Sequence, residues 1–174
     1  MTARIPWVER RFGFDFPPGV YPELIERLRG TPDRLEGKFR DLAMELAVER
    51  PDEAWSLQEH AGHLADIEDL FERRLDDYAS KRDVLHAADM SNQKTHEANH
   101  NKRPLTDVLS EFRRKREALV ARLEALPPEA FDQKAHHPRL HRPLRLVDCM
   151  AFQAEHDDYH LARMSEILSL AHTK

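Results

Sequence analysis

The residues best suited to chemistry are His156 and His160, the two ends of the sequence HDDYH. In a helix over the surrounding run LRLVDCMAFQAEHDDYHLARMSEILSLA, side chains four apart lie ~40° apart around the axis and one turn apart along it, so both imidazoles project from one stripe. With His156 at zero, Cys149, Phe152, Arg163 and Ile167 also fall within ~40° at the ideal helical period, which makes that stripe core-facing. Two adjacent imidazoles in a core need partners. Ordinary hydrogen bonds would satisfy them, and the spacing equally suits chelation of one ion by two nitrogens, since imidazole is a common ligand for zinc, nickel and iron.

A second source of ligands is the run WSLQEHAGHLADIEDLFERRLDDY, which holds His60 and His63. Relative to Leu64, His60 falls ~40° away and His63 ~100° away, so His60 is better centred, but spacing alone leaves both open. Glu68 falls close to the same apolar face, where an unpaired carboxylate would be expensive; it suits orienting a ligand or holding a proton. His96, Glu97 and His100 lie in a polar stretch and read as surface residues, as do His136, His137 and His141 beside prolines. Glu97 and His100 match half of a di-iron carboxylate motif that has no second copy. HDDYH is only superficially a zincin motif, because Asp157 is one methylene shorter than the catalytic glutamate there. No Gly-rich phosphate loop, CxxC pair or GxSxG elbow is present.

Four helical stripes must position these groups. Residues 1–20 show no sustained period, and Trp7, Phe12, Phe14 and Phe16 predict an irregular arm laid over the bundle surface. Pro22 begins a first helix with Leu24, Ile25 and Leu28 that stops at Gly30; Thr31 is expected to cap a second piece carrying Leu35, Phe39, Leu42 and Leu46. Pro51 and Asp52 open a turn, and Ser56 with Glu59 has the spacing of a capping box, starting a helix that should run to about Tyr78. From Ala79 to Arg103 the chain is polar, with at most a turn or two of helix. A connection this long allows the second and third helices to run parallel rather than as a hairpin. The third helix is expected from Pro104 to Leu126, with Val108, Leu109, Phe112, Leu119 and Leu123 on its stripe. Within Arg113–Arg116 only Arg116 turns inward, towards a salt bridge with the second helix or an anionic substrate. Residues 129–144 read as a proline-punctuated loop, and the last helix runs from about Leu146 to Ala171. The fold class is therefore all-α, a four-helix bundle with a long crossover between helices two and three, in one domain over residues 1–174.

The composition agrees. Five glycines, 40% hydrophobic and 34% charged residues suit amphipathic helices with solvated outer faces. A net charge of -5 argues against a nucleic-acid partner, which would need a concentrated basic surface. One cysteine, Cys149, excludes an internal disulfide and fits a reducing compartment. With no apolar run of ~20 residues and no basic-then-apolar leader, the expected location is cytoplasmic, away from membranes. A homodimer through the exposed bundle faces or the aromatic arm is open to such a fold.

Taken together, WSLQEHAGHLADIE, the long crossover and AEHDDYHLARM resemble the DinB-like family of four-helix bundles, over nearly the whole chain beyond the arm. Members of that family look like three-histidine metal proteins, and the resemblance selects His63, rather than His60, with His156 and His160 as the metal ligands. It implies a divalent ion, zinc or nickel, with a position left open for water or a thiol. Relatives include thiol-dependent S-transferases, a glutathione- or mycothiol-using isomerase and metal-dependent hydrolases. The implied function is transfer of a low-molecular-weight thiol to a small electrophile. The alternatives are hydrolysis by metal-bound hydroxide and a non-catalytic module with a vestigial or structural histidine cluster. Glu59, Glu68, Glu155 and Asp157 are candidates for orienting the imidazole N–H groups. Arg74, Arg116 and Arg163 are candidates for binding a carboxylate-bearing thiol or substrate.

Overall fold

The computed structural model describes residues 4–51 and 54–171; Asp52 of the expected turn lies outside them. In chain order its regular elements are α1 (Tyr21–Arg29), α2 (Thr31–Glu36), α3 (Met44–Val48), α4 (Leu57–Ala79), α5 (Gln93–Glu97), α6 (Leu105–Glu124), β1 (Lys134–His137), β2 (Arg142–Arg145) and α7 (Leu146–Ala171). The long helices α4, α6 and α7, with α1 and α2 as the broken fourth, make the expected bundle.

Cross-helix pairs give the directions. Glu68 meets Arg116 and Asp76 meets Arg122, so α4 and α6 run parallel; Arg27 and Lys38 reach Asp158 and Ser165, so the first helix runs parallel to α7. His60 opposite His160, with Glu68 opposite Gln153, makes α4 and α7 antiparallel. The long connection after α4 permits this arrangement, because a short loop would force α4 and α6 into a hairpin.

The core has two apolar halves. Leu28, Phe71, Leu75, Leu119, Leu123 and Phe152 belong to one, and Leu35, Leu57, Leu64, Phe112, Leu161 and Met164 to the other. Burying each such side chain contributes ~1.5–3 kcal/mol relative to leaving it in water. Between the halves lies a polar layer fed by α1, α2, α4, α6 and α7. Arg116, 0% exposed, donates to Glu68 at 3.0 and 2.6 Å, to Asp157 at 2.6 and 3.2 Å and to the Leu28 carbonyl at 3.1 Å. Thr31 donates to Asp157 and Gln153 to Glu68, completing the shell. Buried ions are tolerated only when paired and hydrogen-bonded in this way. Burial pushes the Glu68 carboxyl above its usual range despite the guanidinium beside it.

Several expectations about local structure change. Thr31 is inside α2 rather than its cap, its hydroxyl being engaged by the Arg27 carbonyl and Asp157. The second piece of the first helix does not continue through Leu42 and Leu46: it tightens to a 3-10 turn at Gly37–Phe39, Asp41 takes a positive φ of 59°, and Leu46 belongs to α3. Residues 129–144 contain a 3-10 turn and an antiparallel hairpin, in which Ala135 and His137 point inward and their neighbours outward. The capping box at Ser56 and Glu59 forms as expected. The arm also packs as expected, with Trp7, Phe12, Phe14 and Phe16 against the core. No helix among the described residues is long and apolar enough to cross a membrane.

Candidate metal centre

His63 on α4 and His156 and His160 on α7 offer ligand atoms that all lie within 4.8 Å of one another, and all three residues are buried. Nε2 of His156 stands 3.4 Å from Nε2 of His63 and 3.2 Å from Nε2 of His160. Two nitrogens held ~2.0–2.1 Å from one tetrahedral ion are ~3.3–3.4 Å apart, so these spacings fit such an ion. The donor set also fits, because ligand imidazoles must be neutral. Burial is the largest cause depressing all three; it takes His156 to about 3 and His63 and His160 well below the ordinary value.

The outward nitrogens show how the rings are held. Nδ1 of His63 lies 3.1 Å from the Thr95 hydroxyl, which donates to Asp66 at 3.0 Å; the same carboxylate oxygen lies 2.8 Å from Nε2 of His100. His100 can sit there because α4 has Gly62 opposite it, where a Cβ would lie 2.2 Å from the imidazole ring. Nδ1 of His160 lies 2.9 Å from Nδ1 of His60. His60, the better-centred histidine of α4, thus supports the ring of His160 from behind. Nδ1 of His156 has no hydrogen-bond partner, and Trp7 meets that ring edge-on at 5.1 Å.

The carboxylates expected to orient the imidazoles do other work. Glu59 closes the capping box and pairs with Arg50, Glu155 pairs with Arg27 and Arg10, and Glu68 and Asp157 hold Arg116. Of the arginines, Arg116 is locked in the polar layer and Arg163 pairs with Glu166, while Arg74 lines the cavity beside the histidines. Asp66, Thr95, His100 and His60 take the orienting roles instead. His100 and His137, read as surface side chains, are buried because α5 and the hairpin fold back onto α4 and α7.

A cavity of about 280 Å³ opens onto the three imidazoles. Trp7, Trp55, Phe71 and Phe152 wall it, and it extends along α4 as far as Arg74. An apolar cavity of roughly 150 Å³ already accommodates benzene, so this one has room for a small organic molecule.

A parallel-paired four-helix bundle with a buried three-histidine pocket defines a recognisable class of helical protein. Within it, the chain belongs to the DinB superfamily, whose model matches residues 27–164. Among solved structures it is similar to YfiT from Bacillus subtilis, described as a probable metal-dependent hydrolase with an unusual four-helix bundle topology: TM-score 0.79, 15% identity, 91% of each chain covered. It is also similar to a mycothiol-dependent maleylpyruvate isomerase, with TM-score 0.67 and 9% identity over 85% of this chain and 60% of that one. At these identities the likeness is one of fold. A search of curated proteins finds no significant match.

Proposed function

We propose that His63, His156 and His160 hold a divalent metal ion, zinc or nickel, and that the protein is a metal-dependent transferase activating a low-molecular-weight thiol for attack on a small electrophile. The observation that carries this reading is the convergence of three neutral imidazoles, with no carboxylate among them, at the floor of an apolar cavity. Such an ion keeps its full charge, and the chemistry it supplies is deprotonation of a thiol or water at neutral pH.

The chain's own residues do the rest. Asp66, through Thr95, and His60 fix the tautomers of His63 and His160, so that each presents Nε2 to the ion. Trp55 packs 4.8 Å from His63 and stacks over His160 at 6.1 Å, while Trp7 covers His156, so water is kept from the flanks of the site. The electrophile lies among Phe71, Phe152 and the two tryptophans.

Hydrolysis of a small amide or ester is the second reading, supported by the full-length likeness to YfiT. It asks for a group to protonate the leaving amine or alkoxide. The one carboxylate lining the cavity among the described residues, Asp89, accepts from Ser91 and from the Gln93 backbone N–H, which lower its pKa and leave it ionised rather than a proton donor, and this favours thiol transfer. The test is a conjugation assay with a bimane-type electrophile and several cellular thiols, comparing metal-loaded protein with His156→Ala. Metal-dependent turnover only in the presence of a thiol supports transfer. Thiol-independent release of acid from esters or amides supports hydrolysis, and no metal-dependent turnover of either kind overturns both readings and leaves a non-catalytic module.

A further inference from the structure

Arg74, Arg139 and His137 line the same cavity as the metal-site histidines. Arg74 is 2% exposed, and its Nε donates to the His86 carbonyl at 3.0 Å. Arg139, on the turn of the hairpin, donates to the Trp7 carbonyl at 2.9 Å and lies over the rings of Trp7 and Phe152. Neither guanidinium has a carboxylate within ion-pair distance among the described residues. The other arginines without such a partner, Arg11, Arg40, Arg73, Arg114 and Arg142, are exposed, whereas the buried or half-buried Arg27, Arg113, Arg116 and Arg145 are each paired with at least one carboxylate.

The third group points the same way. His137 is 1% exposed, and its Nδ1 accepts the backbone N–H of Leu140. Its proton therefore sits on Nε2, which is buried and has no acceptor. Burial, reinforced by Arg74 and Arg139, lowers its pKa to about 3, so this donor is neutral at physiological pH. A buried donor without an acceptor and a buried cation without a counter-charge, as at Arg74, are costly unless a ligand completes them, and the half-buried Arg139 adds a second charge beside them.

We infer that Arg74, Arg139 and His137 form a carboxylate-binding subsite in the same cavity as the metal-site histidines. The Arg74 backbone is eleven residues beyond His63 on α4, ~16 Å along the axis at 1.5 Å per residue, while Arg139 lies nearer, over the Trp7 ring that meets His156 edge-on. A ligand bound there has its carboxylate on the two guanidiniums and the His137 N–H, its apolar body against Phe71 and Phe152, and its reactive end towards the histidines. Planar guanidinium groups match carboxylate geometry, which favours this class of anion. The inference rests on the reading of the cavity as a substrate site, and it assigns that site a carboxylate-bearing occupant, either the electrophile or the thiol.

Isothermal titration of the full chain as purified tests it, using 4-phenylbutyrate, its neutral amide and S-methylglutathione. The same titrations with His156→Ala exclude direct coordination of a carboxylate by an ion. At least one carboxylate compound should bind, 4-phenylbutyrate tenfold or more tighter than the amide if the electrophile carries the group, and S-methylglutathione if the thiol does. Arg139→Gln should weaken that binding about tenfold, and Arg139→Lys should restore part of it. Binding by neither carboxylate, or binding that Arg139→Gln leaves unchanged, would overturn the inference. Metal content measured on the same samples separates the two readings: Arg139-dependent binding in a protein that takes up no metal keeps the subsite and removes the metal enzyme, and the converse result does the opposite.

Discussion

Nδ1 of His60 lies 2.9 Å from Nδ1 of His160, one turn of α4 away from the histidine that faces the other two. The two histidines of EHAGH thus have different jobs: His63 points its Nε2 at the cluster, and His60 holds the tautomer of a neighbour. Burial is the main cause lowering the His60 pKa to about 4, so its ring is neutral and its Nδ1 is free to accept the His160 proton.

Removing that support should weaken metal binding without abolishing it. His60→Ala is expected to lower metal affinity 10–100-fold, the usual consequence of losing an outer partner of a ligand. His63→Ala should remove binding altogether. Chelator competition with both variants checks this, and equal loss in the two would put His60 among the ligands.

Gly62 makes a second, indirect demand on the site. A methyl group at this position would overlap the His100 ring, so Gly62→Ala should displace His100 from Asp66 and loosen the Thr95 contact to His63. We expect lower metal affinity and a lower melting temperature in Gly62→Ala, with the double variant Gly62→Ala/His100→Ala less destabilised than Gly62→Ala because the clash is gone. A Gly62→Ala protein indistinguishable from wild type would show that His100 has no part in holding the site.

The polar layer predicts a large stability effect. Arg116→Ala leaves Glu68 and Asp157 buried without their cation, and breaking a buried ion pair costs ~3–5 kcal/mol. Urea denaturation measures it; a loss under about 1 kcal/mol, the range of a surface pair, would contradict the assignment.

These features divide sharply in how legible they were in the sequence. The long helices, the capping box at Ser56 and the inward turn of Arg116 follow from periodicity and local spacing, which report the face a side chain occupies. The pairing of His156 with His160 is legible for the same reason. The face alone does not say what a side chain touches: Glu59 and Glu68 lie on the expected helix but are engaged by Arg50 and Arg116. Thr95, His100, His137 and Arg139 come from irregular connections, where no period marks an inward position. Asn92 and Asn99 start the turns that fold the crossover back, both with positive φ, a conformation asparagine adopts more readily than most residues. The paired asparagines and Gly62 are sequence traces of that return.

His137 gives a pH dependence whose sign is fixed. Its pKa is about 3 in the folded chain against ~6.5 when unfolded. Between those values the unfolded state binds more protons, so stability is full above ~6.5 and is lost as pH falls towards 3. His137→Gln should therefore flatten the stability profile of the metal-free protein by up to ~1.4 kcal/mol per pH unit between pH 6 and 4. Parallel profiles for the two proteins in urea would contradict this.

The most direct test of the central claim is elemental analysis of the protein purified without a chelating tag, run beside His156→Ala and His160→Ala. One equivalent of a divalent transition metal per chain in the wild type, and less than a tenth of that in either variant, is the predicted result. Wild-type protein that neither carries nor takes up a stoichiometric ion, or variants that keep theirs, would contradict it.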